Sequence, residues 1–90
     1  METLHVVIAN QNGLHARPAK CLVQAAAGFE SDITVNKNGD DERINAKSIL
    51  GVMSIGAPCG TELVFNISGP DEYEAALALR ELFDNNALND

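Results

Sequence analysis

The stretch Gly13-Leu14-His15-Ala16-Arg17-Pro18-Ala19 marks where one hydrophobic periodicity stops and another begins. Before it, Leu4, Val6 and Ile8 alternate with His5 and Val7, which is the period of a half-buried strand over residues 3–9. After it, Ala19, Leu22, Val23 and Ala26 recur at helical spacing and predict a helix over residues 16–27 with that stripe in the core. Arg17, Lys20, Cys21 and Gln24 fall on the opposite face. Pro18 is tolerated only in a first helical turn, so the helix starts just after His15. Asn10-Gln11-Asn12-Gly13 is the connecting loop, and Gly28 is a C-terminal stop. A histidine and an arginine thus stand together at a helix start. Histidine is a nucleophile near neutral pH. Helix N-termini favour anions through their unbonded N–H groups and the helix dipole. Arginine adds a permanent charge and a planar fork for phosphate oxygens. The combination points to a residue that carries a phosphoryl group.

Working outward, Asp32-Ile33-Thr34-Val35-Asn36-Lys37 reads as a second strand with Ile33 and Val35 inward. Asn38-Gly39 signals a hairpin, lengthened by Asp40-Asp41, and a short strand over residues 42–45 returns from it. Ser48 is placed to cap a short apolar helix, Ile49-Leu50-Gly51-Val52-Met53. Gly56-Ala57-Pro58-Cys59-Gly60 is a loop. Residues 62–68 alternate with Leu63, Phe65 and Ile67 on one face and form the fourth strand. Ser68-Gly69-Pro70-Asp71-Glu72 opens a last helix, with Ala76, Leu79 and Phe83 as its buried stripe and Asn85-Asn86 as its end. The final residues are expected to fray. The order β-α-β-β-α-β-α predicts an α+β fold, an antiparallel sheet with helices packed on one face, in a single domain over residues 1–90.

Composition narrows the function. A net charge of −7 lacks the basic footprint of a nucleic-acid binder, and the acid in Asp40-Asp41-Glu42 and residues 71–90 reads as solvated surface. Of six basic residues, Arg17, Lys20 and Lys47 flank the segments singled out as functional. No apolar run is long enough to span a membrane and no signal peptide is visible, so a cytoplasmic location is expected. Cys21 and Cys59 read as two reduced thiols, and the two histidines leave no ligand spacing for zinc. No metal and no cofactor is expected. His5 reads as a solvent-facing strand residue.

Two motifs carry a family resemblance. Gly13-Leu14-His15-Ala16-Arg17-Pro18-Ala19 is similar to the active-site signature of the HPr family, the histidine phosphocarriers of the sugar phosphotransferase system. Lys47-Ser48-Ile49-Leu50-Gly51-Val52-Met53-Ser54-Ile55-Gly56 resembles the same family's regulatory-serine region. The resemblance covers nearly the whole chain and implies an open-faced sandwich of four antiparallel strands and three helices. It implies that His15 takes a phosphoryl group on Nδ1 from phospho-enzyme I, assisted by Arg17, and passes it to an enzyme IIA domain. The chain would then be a protein substrate in a relay rather than a turnover enzyme, and would act as a monomer. Ser48 matches the serine phosphorylated by HPr kinase/phosphorylase, which implies that kinase and a transcriptional regulator as further partners. A phosphate on Ser48 would sit at a helix N-terminus, which tolerates it, while neighbouring partners feel its charge. The hairpin over residues 38–45 is longer than in the common pattern, as it is in nitrogen-related phosphocarriers, which feed a regulatory relay. That branch is the alternative reading, together with a mainly regulatory module acting through Ser48.

Ile49, Leu50, Val52, Met53 and Ile55 are more apolar residues than a short helix buries. Part of them is expected to form a surface patch beside Lys20, Gln24 and Lys47. The expected partner-binding residues are Lys20, Gln24, Lys47, Ile49, Leu50 and Val52.

Overall fold

In the computed structural model, which describes residues 1–84, the elements follow the expected order. They are β1 (Glu2–Val7), α1 (Ala16–Ala27), β2 (Asp32–Lys37), β3 (Ile44–Asn45), α2 (Ile49–Ser54), β4 (Glu62–Ser68) and α3 (Glu72–Asp84). The four strands form one antiparallel sheet in the order β1-β4-β2-β3. Leu4 lies opposite Phe65, and Val35 lies opposite both Phe65 and Ile44, so the apolar residues of neighbouring strands share a face.

Phe65, Ile67, Leu63, Ile33 and Val35 are fully buried under the helices. Residues at the other parity, such as Thr3, His5 and Asn66, line the sheet's open face. In the helix layer α3 lies over β1, α2 lies beside β3, and α1 runs between them. Leu22 and Ala26 of α1 and Ala75 and Leu79 of α3 reach the core, and Phe83 meets Phe65 edge-on at 5.9 Å.

Several boundaries differ from the sequence reading. The first strand ends at Val7, although the inward alternation continues to a buried Ile8. The third strand is only Ile44–Asn45, not residues 42–45. Side chains supplant the ladder there: Asp40 Oδ1 accepts from Glu42 N–H at 3.0 Å, and Asn36 Nδ2 donates to the Asp40 carbonyl at 2.8 Å. Gly28 closes α1 in the right-handed region, at φ −75°, without the left-handed turn usual for glycine stops. Val23 is only half-buried, while Cys21, expected on the outer face, packs partly against the core. In α3 the deepest positions are Ala75 and Leu79, with Ala76 and Phe83 partly buried beside them. The expected helix end at Asn85-Asn86 and the fraying beyond it lie outside the described residues.

One long-range tie fixes the start of α3. The Asp71 carboxylate accepts from Ser31 Oγ at 2.5 Å and from the N–H groups of Glu30 and Ser31 at 2.9 Å. These bonds, the Ser31 hydroxyl first, hold its carboxyl below the usual aspartate value.

Candidate phosphoacceptor site

The loop between β1 and α1 is clamped from three sides. Asn10, nearly buried, donates through Nδ2 to the Gly13 carbonyl, while Gly13 N–H donates back to the Asn10 carbonyl at 3.0 Å. Leu14 N–H donates to the Ala57 carbonyl at 2.8 Å, which ties the loop to the 56–60 segment. That segment is in turn tied to β1 by Gly60 N–H donating to the Ile8 carbonyl at 2.8 Å. Gly13 sits at φ +73°, and a Cβ there would lie 2.5 Å from the Ala57 carbonyl oxygen and 2.8 Å from Pro58 Cα. Only glycine fits both the left-handed backbone and the close approach.

His15 is the N-cap of α1, in extended conformation, and its carbonyl accepts the first helical bond from Ala19 N–H at 2.9 Å. The ring is partly exposed, with Nε2 shielded from solvent. Buried Leu14, Pro18 and Ala19 hold the helix start rigidly on the core, while Ala16 and Arg17 stay exposed.

At a helix start the first N–H groups have no acceptor inside the helix. Pro18, third in the helix, has none to offer, and His15 N–H donates to the Gly13 carbonyl at 3.1 Å. The N–H groups of Ala16 and Arg17 are therefore the two first-turn donors without an acceptor inside the helix. The first turn carries no acidic residue to oppose that anion, and the exposed Arg17 guanidinium adds positive charge.

Beside this site, α2 begins as its sequence predicts: Ser48 Oγ accepts from Gly51 N–H at 3.1 Å. The apolar patch next to it needs one correction. Val52, expected among the partner-binding residues, is fully buried, because the α2 face carrying it turns onto the core. Leu50 (80% exposed), Met53 and Ile49 form the surface instead. Lys20 and Gln24 stand exposed on the neighbouring face of α1. Lys47 is half-buried, its ammonium donating to the Phe29 carbonyl at 2.7 Å. It anchors α2 to the turn after α1.

His5 stands on the open sheet face as expected, with Nδ1 2.9 Å from Glu62 Oε2. Cys21 and Cys59 are free thiols. No helix among the described residues is long and apolar enough to cross a membrane. Asn10 and the Ala57-Pro58 pair were missed as site residues by the sequence reading. Asn10 and Gly13 share a local turn signal, whereas Ala57 lies far along the chain.

Comparison with known proteins finds relatives over most of the chain. Residues 3–85 match the family described as "PTS HPr component phosphorylation site". The chain is 49% identical over 80 residues to phosphocarrier protein HPr of Treponema pallidum (strain Nichols), covering 89% of each. The structure of HPr-C-His from Thermoanaerobacter tengcongensis superposes with a TM-score of 0.88 at 44% identity, over 94% of this chain and 93% of that one. Crh of Bacillus subtilis, described as a dimer with a swapping domain, superposes with a TM-score of 0.72 at 40% identity, over 89% and 90% of the two chains.

Proposed function

Because the chain belongs to the HPr family of phosphocarriers of the phosphotransferase system, we propose that His15 accepts the phosphoryl group of phospho-enzyme I and passes it to an enzyme IIA domain of a sugar transporter. The observation that carries this reading is the partly exposed imidazole at the start of α1, beside the first-turn amides of Ala16 and Arg17, which have no acceptor inside the helix. The Nδ1 lone pair forms the new N–P bond as the donor's N–P bond breaks and the donor imidazole leaves. The two amides and the Arg17 guanidinium stabilise the phosphoryl oxygens during transfer. The shielding of Nε2 supports Nδ1 as the nucleophile.

Exposure suits a carrier, because two partners must reach the same atom in turn. So does a shallow site: each ~1.4 kcal/mol of excess phosphate binding would bias the transfer equilibrium tenfold. The patch of Ile49, Leu50 and Met53, with Lys20 and Gln24 beside it, supports a docking surface shared by both partners. One copy meets one partner at a time, in the cytoplasm. The chain is a substrate of the relay and turns over nothing itself.

Ser48 borders that patch, and its phosphorylation by a kinase of the HPr kinase/phosphorylase type would weaken enzyme I docking by charge while leaving the fold intact. A phosphorylated sample with undiminished affinity for enzyme I would contradict this. The relay itself is tested by a chase. Chain labelled by enzyme I and phosphoenolpyruvate should lose its label to an added IIA domain, and Arg17→Ala should slow both steps. Label that IIA cannot remove would refute the sugar relay and favour the nitrogen-related one, tested next with that branch's enzyme I.

A further inference from the structure

The loop that presents His15 holds a side chain whose burial packing alone does not explain. Among the described residues, Asn10 (7% exposed) and Ser31 are the two buried polar side chains. Ser31 serves the tie to Asp71 at the start of α3. Asn10 lies in the loop before α1. Burying an amide is unfavourable unless it is hydrogen-bonded, so an apolar side chain would serve packing as well. The Asn10 amide is bonded to one particular group, the Gly13 carbonyl. That carbonyl also accepts from His15 N–H at 3.1 Å. A carbonyl oxygen has two lone pairs, and here one meets the Asn10 side chain and the other the His15 backbone. Gly13 N–H in turn donates to the Asn10 carbonyl at 3.0 Å, so Asn10 grips the glycine at both its N–H and its C=O. Gly13, at φ +73°, has no side chain to restrict its own peptide planes.

We propose that Asn10 is a positioning residue for phosphoryl transfer, an inference that rests on His15 as the phosphoacceptor. Its side chain fixes the direction of the Gly13 carbonyl. The carbonyl sets the backbone of His15, and the backbone sets the line along which the imidazole meets the incoming phosphorus. In-line transfer depends on that line, and a displacement of about 1 Å far from the chemistry costs about a hundredfold in rate. Removing the Asn10 donor leaves two backbone bonds of the loop in place, Gly13 N–H to Asn10 and Leu14 N–H to Ala57. The loop stays on the core, but the Gly13 carbonyl loses one of its two fixed partners. The loss therefore falls on rate. The exposed patch of Ile49, Leu50 and Met53 belongs to α2 and is untouched, so docking is unchanged.

Rapid-quench transfer from phospho-enzyme I to the full chain separates the maximal rate from the half-saturating concentration. Asn10→Ala removes the donor. Asn10→Asp fills the same space, should alanine fail to fold, but as a carboxylate offers the Gly13 carbonyl only acceptors. Each should lower the maximal rate about ten- to a hundredfold while the half-saturating concentration stays within about twofold of wild type. Asp71→Ala is the control: it breaks a buried tie beyond the other end of α1, a helix about 18 Å long. It should lower the melting temperature and leave the maximal rate as in wild type. Wild-type rates in both Asn10 variants, a change confined to half-saturation, or an equal loss of rate in Asp71→Ala would overturn the inference while leaving the label on His15. Wild type that takes no label on His15 would refute the phosphoacceptor reading itself, and the inference with it.

Discussion

Gly13→Ala separates the two demands that the site loop places on its backbone. The first is conformational: at φ +73° an alanine pays roughly 1–2 kcal/mol for the left-handed region. The second is steric. The added Cβ would lie 2.5 Å from the Ala57 carbonyl oxygen and 2.8 Å from Pro58 Cα, both backbone atoms that cannot swing aside. The two loops must part, which breaks the 2.8 Å bond from Leu14 N–H to the Ala57 carbonyl at a further cost of about 1 kcal/mol. The sum is about 2–3 kcal/mol, a large share of the ~5–15 kcal/mol that holds a domain folded. For a chain of this size it lowers the melting temperature by on the order of 10–25 °C. Gly60→Ala is the control. Its φ is +91°, but no atom lies within 4 Å of the added Cβ, so only the conformational part, about 1–2 kcal/mol, is lost. Urea unfolding of both variants measures the difference. If Gly13→Ala destabilises no more than Gly60→Ala, the clamp between the 10–14 and 56–60 loops does not hold the site.

Three further outcomes follow from the same structure. Leu50→Glu should leave stability within about 0.5 kcal/mol of wild type, the side chain being exposed, yet weaken enzyme I binding at least about tenfold, as calorimetric titration would reveal. Ser48→Ala should cost about 1 kcal/mol in urea unfolding through loss of the bond from Gly51 N–H to Ser48 Oγ. Asp71→Ala should alter the acid limb of stability. Hydrogen bonds from Ser31 and Glu30 lower the Asp71 pKa on folding, so its contribution is fully present above the unfolded value near 3.8 and fades as pH falls through the lower folded value. The gap between wild type and variant should therefore be constant above about pH 5 and narrow below 3.8, and a gap that widens in acid would contradict the assignment.

What the sequence made legible was local or periodic. The alternation of Leu63, Phe65 and Ile67 identified β4 and its inward face, since a two-residue period leaves no other choice. Ser48 was readable as a cap because its hydroxyl acts three residues away. The sorting of Val52 from Leu50 was not readable, because a six-residue helix is too short for its period to single out one face. Likewise, Ala75 and Ala76 differ by 100° around α3, and only packing against β1 and β4 decides which goes deeper. The third strand was overextended because side-chain bonds of Asn36 and Asp40 compete with the ladder in ways composition does not reveal. At the site, His15 and Arg17 declared themselves through their spacing from Pro18. The Ala57 carbonyl that holds Leu14 comes from a loop more than forty residues away, and no local pattern announces it.

The central claim is that His15 is the phosphoacceptor and that its Nδ1 takes the group. The most direct measurement is phosphorylation of the intact chain with enzyme I and phosphoenolpyruvate, followed by nitrogen- and phosphorus-detected magnetic resonance of the product. The account predicts one acid-labile phosphate, coupled to Nδ1 of His15, and no incorporation into His15→Ala. Phosphate on Nε2 of His15, on His5, or retained by His15→Ala would contradict it.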